Sequence, residues 1–355
     1  MYLATHELKA NKGRYGLVIL ILFLIAYLIY FLTGLAYGLA SDNRLAVDQW
    51  HANRIGISQY ANSNLAASTL GPDKINLANL KPTQAPLGEM AAVVNKVGSQ
   101  KDLNATIFGI QFDSFIKPKL IKGHQVTTNH QVVVDERLGN GTVKVGDQLH
   151  INGSQASYHI VGLTRNNLYG TLPVVYTTLG TYDQLRYGSA RVKNVSGIVY
   201  QRASDVQQIK GIKNLTPQAL ITHIPGYSAQ NSTFSLMIGA LFIIVLFIVG
   251  IFMYILTLQN ISVYGIMRAQ GISNRTLITS VLDQSLILGV IGIGLGLIAN
   301  QLTVLILPAG IPYANNLMLV ALFSIGLLAM VVLGAIFSVR QILKIDPIRA
   351  IGGTA

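Results

Sequence analysis

Gln284-Ser285-Leu286-Ile287-Leu288-Gly289-Val290-Ile291-Gly292-Ile293-Gly294-Leu295-Gly296-Leu297-Ile298-Ala299 opens a run of 56 residues, Gln284 to Val339, that carries no charged side chain. As one helix, rising about 1.5 Å per residue, the run would extend about 84 Å, far beyond a hydrocarbon core of about 30 Å. Pro308, Gly310 and Pro312 divide it. Proline removes a backbone donor and glycine disfavours helix, so the expectation is two crossings, 284–307 and 316–339, joined by a turn over 308–315.

Two further stretches meet the same length criterion of about 20 apolar residues. Residues 15–41 are free of charge and include Leu17-Val18-Ile19-Leu20-Ile21-Leu22-Phe23-Leu24-Ile25, and residues 234–258 form the second stretch. A signal peptide is the alternative reading of the first, since Lys9, Lys12 and Arg14 precede it and Gly38-Leu39-Ala40 follows it. Signal cores run to about 7–15 residues and this one is longer, so it is expected to stay in the membrane. The chain thus reads as having four spans.

Composition agrees. Apolar residues make up 51% of the 355 residues and charged residues only 11%, against about 25% charged in soluble domains. The net charge of +12 raises the question of nucleic acid, which the placement of the charges answers. Eight basic residues lie outside Ser41–Thr233, namely Lys9, Lys12, Arg14, Arg268, Arg275, Arg340, Lys344 and Arg349, and each flanks an apolar run. That is the positive-inside bias of a multi-pass protein and not a phosphate-binding groove. It predicts a cell (plasma) membrane protein whose N-terminal segment (1–14, an amphipathic helix), 259–283 connection and 340–355 tail are cytoplasmic, with the 308–315 turn outside. No nucleic-acid partner is expected. With no cysteine present, disulfides and thiolate metal sites are excluded.

Residues 42–233 are polar, mixed in charge and long enough for one or two small domains. Residues 54–98, rich in Ala, Asn and Leu, read as helix and loop. Beyond them, 105–112, 131–135, 143–151, 158–163, 172–177 and 195–200 are rich in Val, Ile, Tyr and Thr and read as strands, with Asn140-Gly141 as a turn. Residues 182–187 and 203–212 read as short helices. The predicted fold class is therefore an α-helical membrane protein with four transmembrane helices plus an α+β extracellular domain. The seven histidines show no metal-ligand spacing, and Asp135-Glu136 are strand neighbours that point to opposite faces. Neither a catalytic residue nor an intrinsic cofactor is predicted, and the chain reads as a non-enzyme.

In the connection, Ile261, Tyr264, Met267, Leu277, Ile278 and Val281 recur at three- and four-residue spacing while Gly265 and Gly271 interrupt. This suits either a short surface helix with an exposed knuckle at Gly271-Ile272-Ser273 or an amphipathic interfacial loop. Tyr264-Gly265-Ile266-Met267-Arg268-Ala269-Gln270-Gly271-Ile272 resembles the signature of FtsX/MacB-type ABC transporter permeases. Asp346-Pro347-Ile348-Arg349-Ala350-Ile351 is similar to the ending of that family, where Asp suits a helix cap and Pro a first turn. The resemblance covers essentially the whole chain. It implies that Gly265, Ile266, Arg268, Ala269, Gly271 and Ile272 couple to a separate ABC ATPase subunit, which would hold ATP and Mg, since this chain has no phosphate loop. It also implies a homodimer. Gly34 and Gly38, spaced as Gly-x-x-x-Gly, suit close helix approach either in that dimer or within one copy, as do Gly292 and Gly296.

Within the superfamily, the sequence most resembles the haem-export permeases of the HrtB type. The likeness rests on Thr33-Gly34-Leu35-Ala36-Tyr37-Gly38-Leu39 followed by Asp42-Asn43, on Val145-Gly146-Asp147-Gln148-Leu149-His150, and on Gly352-Gly353. It implies haem as substrate and places Tyr169, Tyr227 and Asp42 at haem-related positions. Tyr37 and Met237 are candidates from their location at the outer ends of the first two spans. Tyrosine as an interface anchor and methionine as packing filler are the alternatives. The only metal implied is haem iron. MacB-like export of peptides, lipids or drugs and an FtsX-like signalling permease that transports nothing stay open beside haem export.

Overall fold

The computed structural model describes residues 12–308 and 310–343. The expected amphipathic segment before Lys12 and the Asp346–Gly353 ending lie outside the described residues. In chain order the helices are α1 (Lys12–Asp42), α2 (Leu45–Gln49), α3 (Leu179–Tyr187), α4 (Pro217–Thr222), α5 (Tyr227–Gln259), α6 (Ile261–Ala269), α7 (Asn274–Ile306) and α8 (Leu317–Leu343). The chain forms two compact units, one from residues 12–37, 232–308 and 313–343, the other from residues 38–231 and 310–312.

The first unit is helical. α1, α5, α7 and α8 are each long and apolar enough to cross a membrane. Their outward residues are as apolar as their inward ones: Leu17, Leu20, Leu24 and Leu28 are exposed on α1 while Val18, Leu22, Ala26 and Ile29 are buried. An all-round apolar surface of this kind is matched to lipid. Inside, small residues set the helix spacing. A Cβ on Gly292 would stand 2.6 Å from Leu22 Cβ, and one on Gly296 would stand 2.9 Å from Ala26 Cβ, so α7 lies directly against α1. Gly34 is closed off by the Tyr313 ring of the same chain, an internal use that accounts for it without a second copy. Polar side chains pair across helices, as Tyr15 to Gln284 at 3.1 Å, Tyr27 with Thr303 at 3.1 Å and Asn300 to Tyr313 at 2.8 Å, because an unpaired polar group in an apolar surround costs several kcal/mol.

The helices extend further than the charge-free runs. α5 begins at Tyr227 and α7 at Asn274, so residues 227–233 and 274–283, expected in the domain and in the connection, are continuous with spans. Polar residues there continue a helix already formed, and its backbone bonds need no apolar side chain.

The second unit is built on a mixed sheet with β1 (Arg54–Ser58), β2 (Gln84–Lys96), β3 (Asp102–Ile110), β4 (Leu120–Gly123), β5 (Gln131–Asp135), β6 (Gln148–Ile151), β7 (Ser157–Thr164), β8 (Leu168–Tyr169), β9 (Leu172–Thr178), β10 (Gly197–Tyr200) and β11 (Ile212–Leu215). The order is β11-β1-β10-β2-β3-β9-β5-β7-β4, with β6 bonded to β2 and β7, and β8 to β9. β3–β9 and β5–β7 are parallel and the other pairs antiparallel. One face carries a core of Trp50, Leu87, Phe108, Tyr169 and Tyr176, the other a core of Val94, Ile107, Val132, Leu149 and Val175.

Three sequence expectations are corrected. Residues 54–98 hold β1 and β2 rather than helix and loop. β2 contains Ala, Met and Glu, all good helix formers, but its pairing with β3 from Leu87 to Asn95 overrides that preference. Residues 143–151 are strand only from Gln148; before it Gly146 takes φ 95° and the Asp147 carboxylate accepts the Lys144 N–H at 2.8 Å, which closes a turn. Residues 203–212 contain one 3-10 turn, Ala203–Asp205, instead of a helix.

Asp135 organises the end of β5. It is fully buried, and its carboxylate accepts the backbone N–H groups of Arg137 at 2.9 Å and Asn167 at 2.7 Å. Burial raises its pKa and these two bonds pull it back. Asp135→Ala leaves both donors unpaired in the interior and is expected to lower stability by about 3 kcal/mol. Denaturant unfolding of the detergent-solubilised chain, followed by fluorescence of Trp50, its single tryptophan, measures this; a change below about 0.5 kcal/mol would contradict the reading.

Candidate functional site

Two places stand out, one in each unit. In the sheet unit, a cleft of about 720 Å³ is lined by Leu39, Asp42, Glu136, Arg137, Asn140, Gly141, Leu168, Thr171, Pro173, Gly310, Ile311 and Pro312, a size usual for small-molecule sites. Its polar groups come from the ends of elements. Asp42 is the last residue of α1, and Arg137 follows the β5 terminus; their side chains pair at 2.9 Å, with the arginine the more exposed partner. Beside them, Arg165 donates Nη2–H to Glu136 Oε2 at 3.0 Å and holds the Glu136 carboxyl below the ordinary carboxylate range. Asn140 and Gly141 both take positive φ, 56° and 79°, which turns the chain sharply behind Arg137. Leu39, Leu168, Ile311 and the prolines supply apolar walls, so the cleft combines an apolar slot with one cationic and two acidic side chains.

Of the residues singled out in the sequence, Asp42 lines this cleft. Tyr169 does not: it follows the lining residue Leu168, but its ring is buried against Phe108 with centroids 5.4 Å apart. Burial, with a contribution from the charge of Glu89, pushes its phenol well above the ordinary range. Tyr227 is buried in the same core. Tyr37 and Met237 are 38% and 44% exposed on helices. Gly38 is buried. Arg137, Glu136 and Ile311 were missed. The available signal was Asp135-Glu136, set aside because strand neighbours diverge; they do diverge, with Asp135 inward and Glu136 at the cleft.

The second place is the connection between α5 and α7. α6 buries Tyr264 and Gly265 and packs Ile261 and Met267 against the helical core, as does Ile272 in the turn that follows. Gly265 therefore lies within the helix instead of interrupting it. The opposite face exposes Val263, Ile266 and Ala269. The helix stops because Gly271 takes φ 90°, and two bonds close the end: Gly271 N–H to Arg268 O and Ile272 N–H to Met267 O, both 3.0 Å. This is the Schellman arrangement, which glycine accommodates without a Cβ penalty. Ser273 then caps α7, its hydroxyl accepting the Thr276 N–H. One helix end is thus locked to the next helix start by three consecutive residues, giving a stiff elbow with apolar side chains on its outer face.

Residues 234–347, spanning α5 to α8, match the family model for the FtsX-like permease C-terminal domain. A chain of Staphylococcus haemolyticus named as a hemin transport system permease protein, HrtB, is 28% identical, covering 99% of each chain. An uncharacterised ABC transporter permease of Mycobacterium tuberculosis is 23% identical, again over 99% of each. Among solved structures, the extracellular domain of the ABC-type transporter YknZ from Gram-positive bacteria aligns with 43% of this chain and 86% of that one, at 14% identity and a TM-score of 0.32, too low to bear on the fold. With four helices long and apolar enough to cross a membrane, the chain carries an FtsX-like permease C-terminal domain over residues 234–347 and is similar from end to end to ABC transporter permeases.

Proposed function

We propose that this permease is the membrane subunit of an ATP-driven exporter of haem, working as a homodimer with two copies of a separate ABC ATPase that bind ATP and Mg. In this reading the N- and C-terminal segments and the elbow at α6 are cytoplasmic, and the sheet unit is extracellular, as the placement of the basic residues favours. Closure of the ATPases pushes on Val263, Ile266 and Ala269. The capped turn at Gly271 passes that push into α7 without absorbing it in a flexible joint. Haem enters from the outer leaflet of the plasma membrane.

The observation that carries the substrate is the end-to-end similarity to permeases named for hemin transport. The cleft beside Asp42 supports it, since an apolar slot with Arg137 at its rim suits a flat apolar ring bearing anionic propionates. Tyr169 and Tyr227 act in this reading through packing in the shared core of the sheet unit, and Tyr37 and Met237 are the exposed candidates for contact. The test is a titration of purified dimer with haem. A saturable shift of the haem absorption band is expected, weakened about tenfold or more by Arg137→Ala through loss of a charge-assisted contact. Binding of a peptide or lipid with no haem shift would favour MacB-like export. Coupling to an external partner without any transport in vesicles would favour an FtsX-like signalling role.

A further inference from the structure

Glu89 lies on β2 two residues past Leu87, where the pairing of β2 with β10 ends. It is 3% exposed, and its Oε2 is buried with no hydrogen-bond partner among the described residues. A carboxylate oxygen left in that state is strongly disfavoured unless the group takes up a proton or finds a cation. The backbone of Glu89 is well held. Its N–H donates to Ser196 Oγ at 2.9 Å, and its carbonyl accepts from Ser196 Oγ at 3.2 Å and from Arg186 Nη1 at 2.5 Å.

The same guanidinium reaches further, including Ser196 Oγ at 3.3 Å. Arg186 Nη1 donates to the Tyr182 hydroxyl at 2.9 Å and Nη2 to the carbonyl of Ala66 at 3.0 Å, and the group lies over the Tyr187 ring at 5.6 Å. Arg186 therefore clasps β2, α3 and the 59–83 segment between β1 and β2. The Glu89 side chain lies on the face of Phe108, its partner on β3, while Tyr182 packs against Gly88 and Gly109 on the other face; the charged and titratable groups that interact with the Glu89 carboxyl are Arg186 from α3 and Tyr169 from β8. Burial pushes this carboxyl up to about 7, with the Arg186 charge pulling it back.

We propose that Glu89 is a proton-operated switch on this clasp: neutral, it leaves Arg186 bonded to the Ala66 carbonyl, and ionised, it draws the guanidinium toward Oε2 and frees the turn at Ala66, while buried Leu65 and Leu70 keep the rest of the segment in place. The sign follows from linkage. The folded chain holds the Glu89 proton to a higher pH than the unfolded chain does, so the stabilisation is complete below the ordinary carboxylate pKa. It is lost as pH rises from there through about 7.

Hydrogen–deuterium exchange of the full chain in lipid nanodiscs, corrected for intrinsic rates, tests this. Peptides covering Ala66 are expected to exchange about fivefold faster at about pH 8.5 than at about pH 5.5, and in Glu89→Gln to stay slow at both. Equal wild-type exchange at the two pH values, or a pH dependence that survives in Glu89→Gln, would overturn the proposal. Should that variant fold poorly, the infrared carbonyl band of a protonated carboxyl in the wild type serves instead. A band lost with a midpoint near pH 7 together with the exchange change supports the switch, and a band lost already in the ordinary carboxylate range overturns it.

Discussion

Gly292→Val is expected to abolish assembly of the helical unit, so that detergent size-exclusion chromatography yields aggregate where the wild type yields one symmetric peak. The added Cβ would meet Leu22 Cβ at 2.6 Å, the Ile19 carbonyl oxygen at 3.3 Å and the Phe23 nitrogen at 3.3 Å. Two of those three atoms are backbone and cannot rotate aside. Overpacking costs about 1–3 kcal/mol where neighbours can adapt, and more where a helix must move bodily. Gly294 provides the control, since a Cβ there has nothing within 4 Å, and Gly294→Val is expected to keep the peak. If the two variants behave alike, α1 and α7 are not packed as described.

In the proposed function, Ile266→Glu is expected to disconnect the chain from its ABC ATPase while leaving it folded. Ile266 is 49% exposed on α6, next to exposed Val263, so a carboxylate there meets no internal clash. At an interface, a buried apolar anchor replaced by a charge costs about 2 kcal/mol or more, which corresponds to about 30-fold in affinity. In the proposed function, haem-dependent stimulation of the separate ABC ATPase, assayed with the two purified subunits in liposomes, should fall by about that factor. Tyr60→Glu, at the most exposed tyrosine of the sheet unit, should leave it unchanged. Stimulation surviving in Ile266→Glu would mean that the outer face of α6 carries no partner.

The parts of the fold legible in the sequence were those set by one-dimensional chemistry. Charge-free runs reveal lipid-matched helices because ionisable groups are excluded from hydrocarbon, and β-branched runs such as Val132-Val133-Val134 reveal strands because their pattern is local. β2 was illegible for the opposite reason: Gln84–Lys96 has helix-forming residues and is extended because β3 and β10 pair with it. The glycines show the same limit. Their spacing announced a close approach, but only the fold shows that Gly292 meets Leu22 and Gly34 meets Tyr313. The candidate cleft draws residues 39–42, 136–141, 168–173 and 310–312 together, a grouping that no local pattern contains. Tyr169 was prominent in the sequence by likeness to related chains, and its ring proves to be part of the aromatic core.

The elbow was more accessible, since a Schellman end needs a glycine at one position and a serine suits the next helix start, both visible as Gly271 and Ser273. What the sequence did not convey was that Gly265 stays helical and that only Gln270, Gly271, Ile272 and Ser273 separate α6 from α7.

The most direct measurement is photocrosslinking in the membranes of the native host, with a benzophenone amino acid placed at position 266 and the adducts identified by mass spectrometry. An adduct with an ABC ATPase, increased when nucleotide is trapped and absent when the probe is moved to position 60, is the predicted result. Full-length, membrane-inserted chain that yields adducts with lipid alone at position 266 would contradict the account.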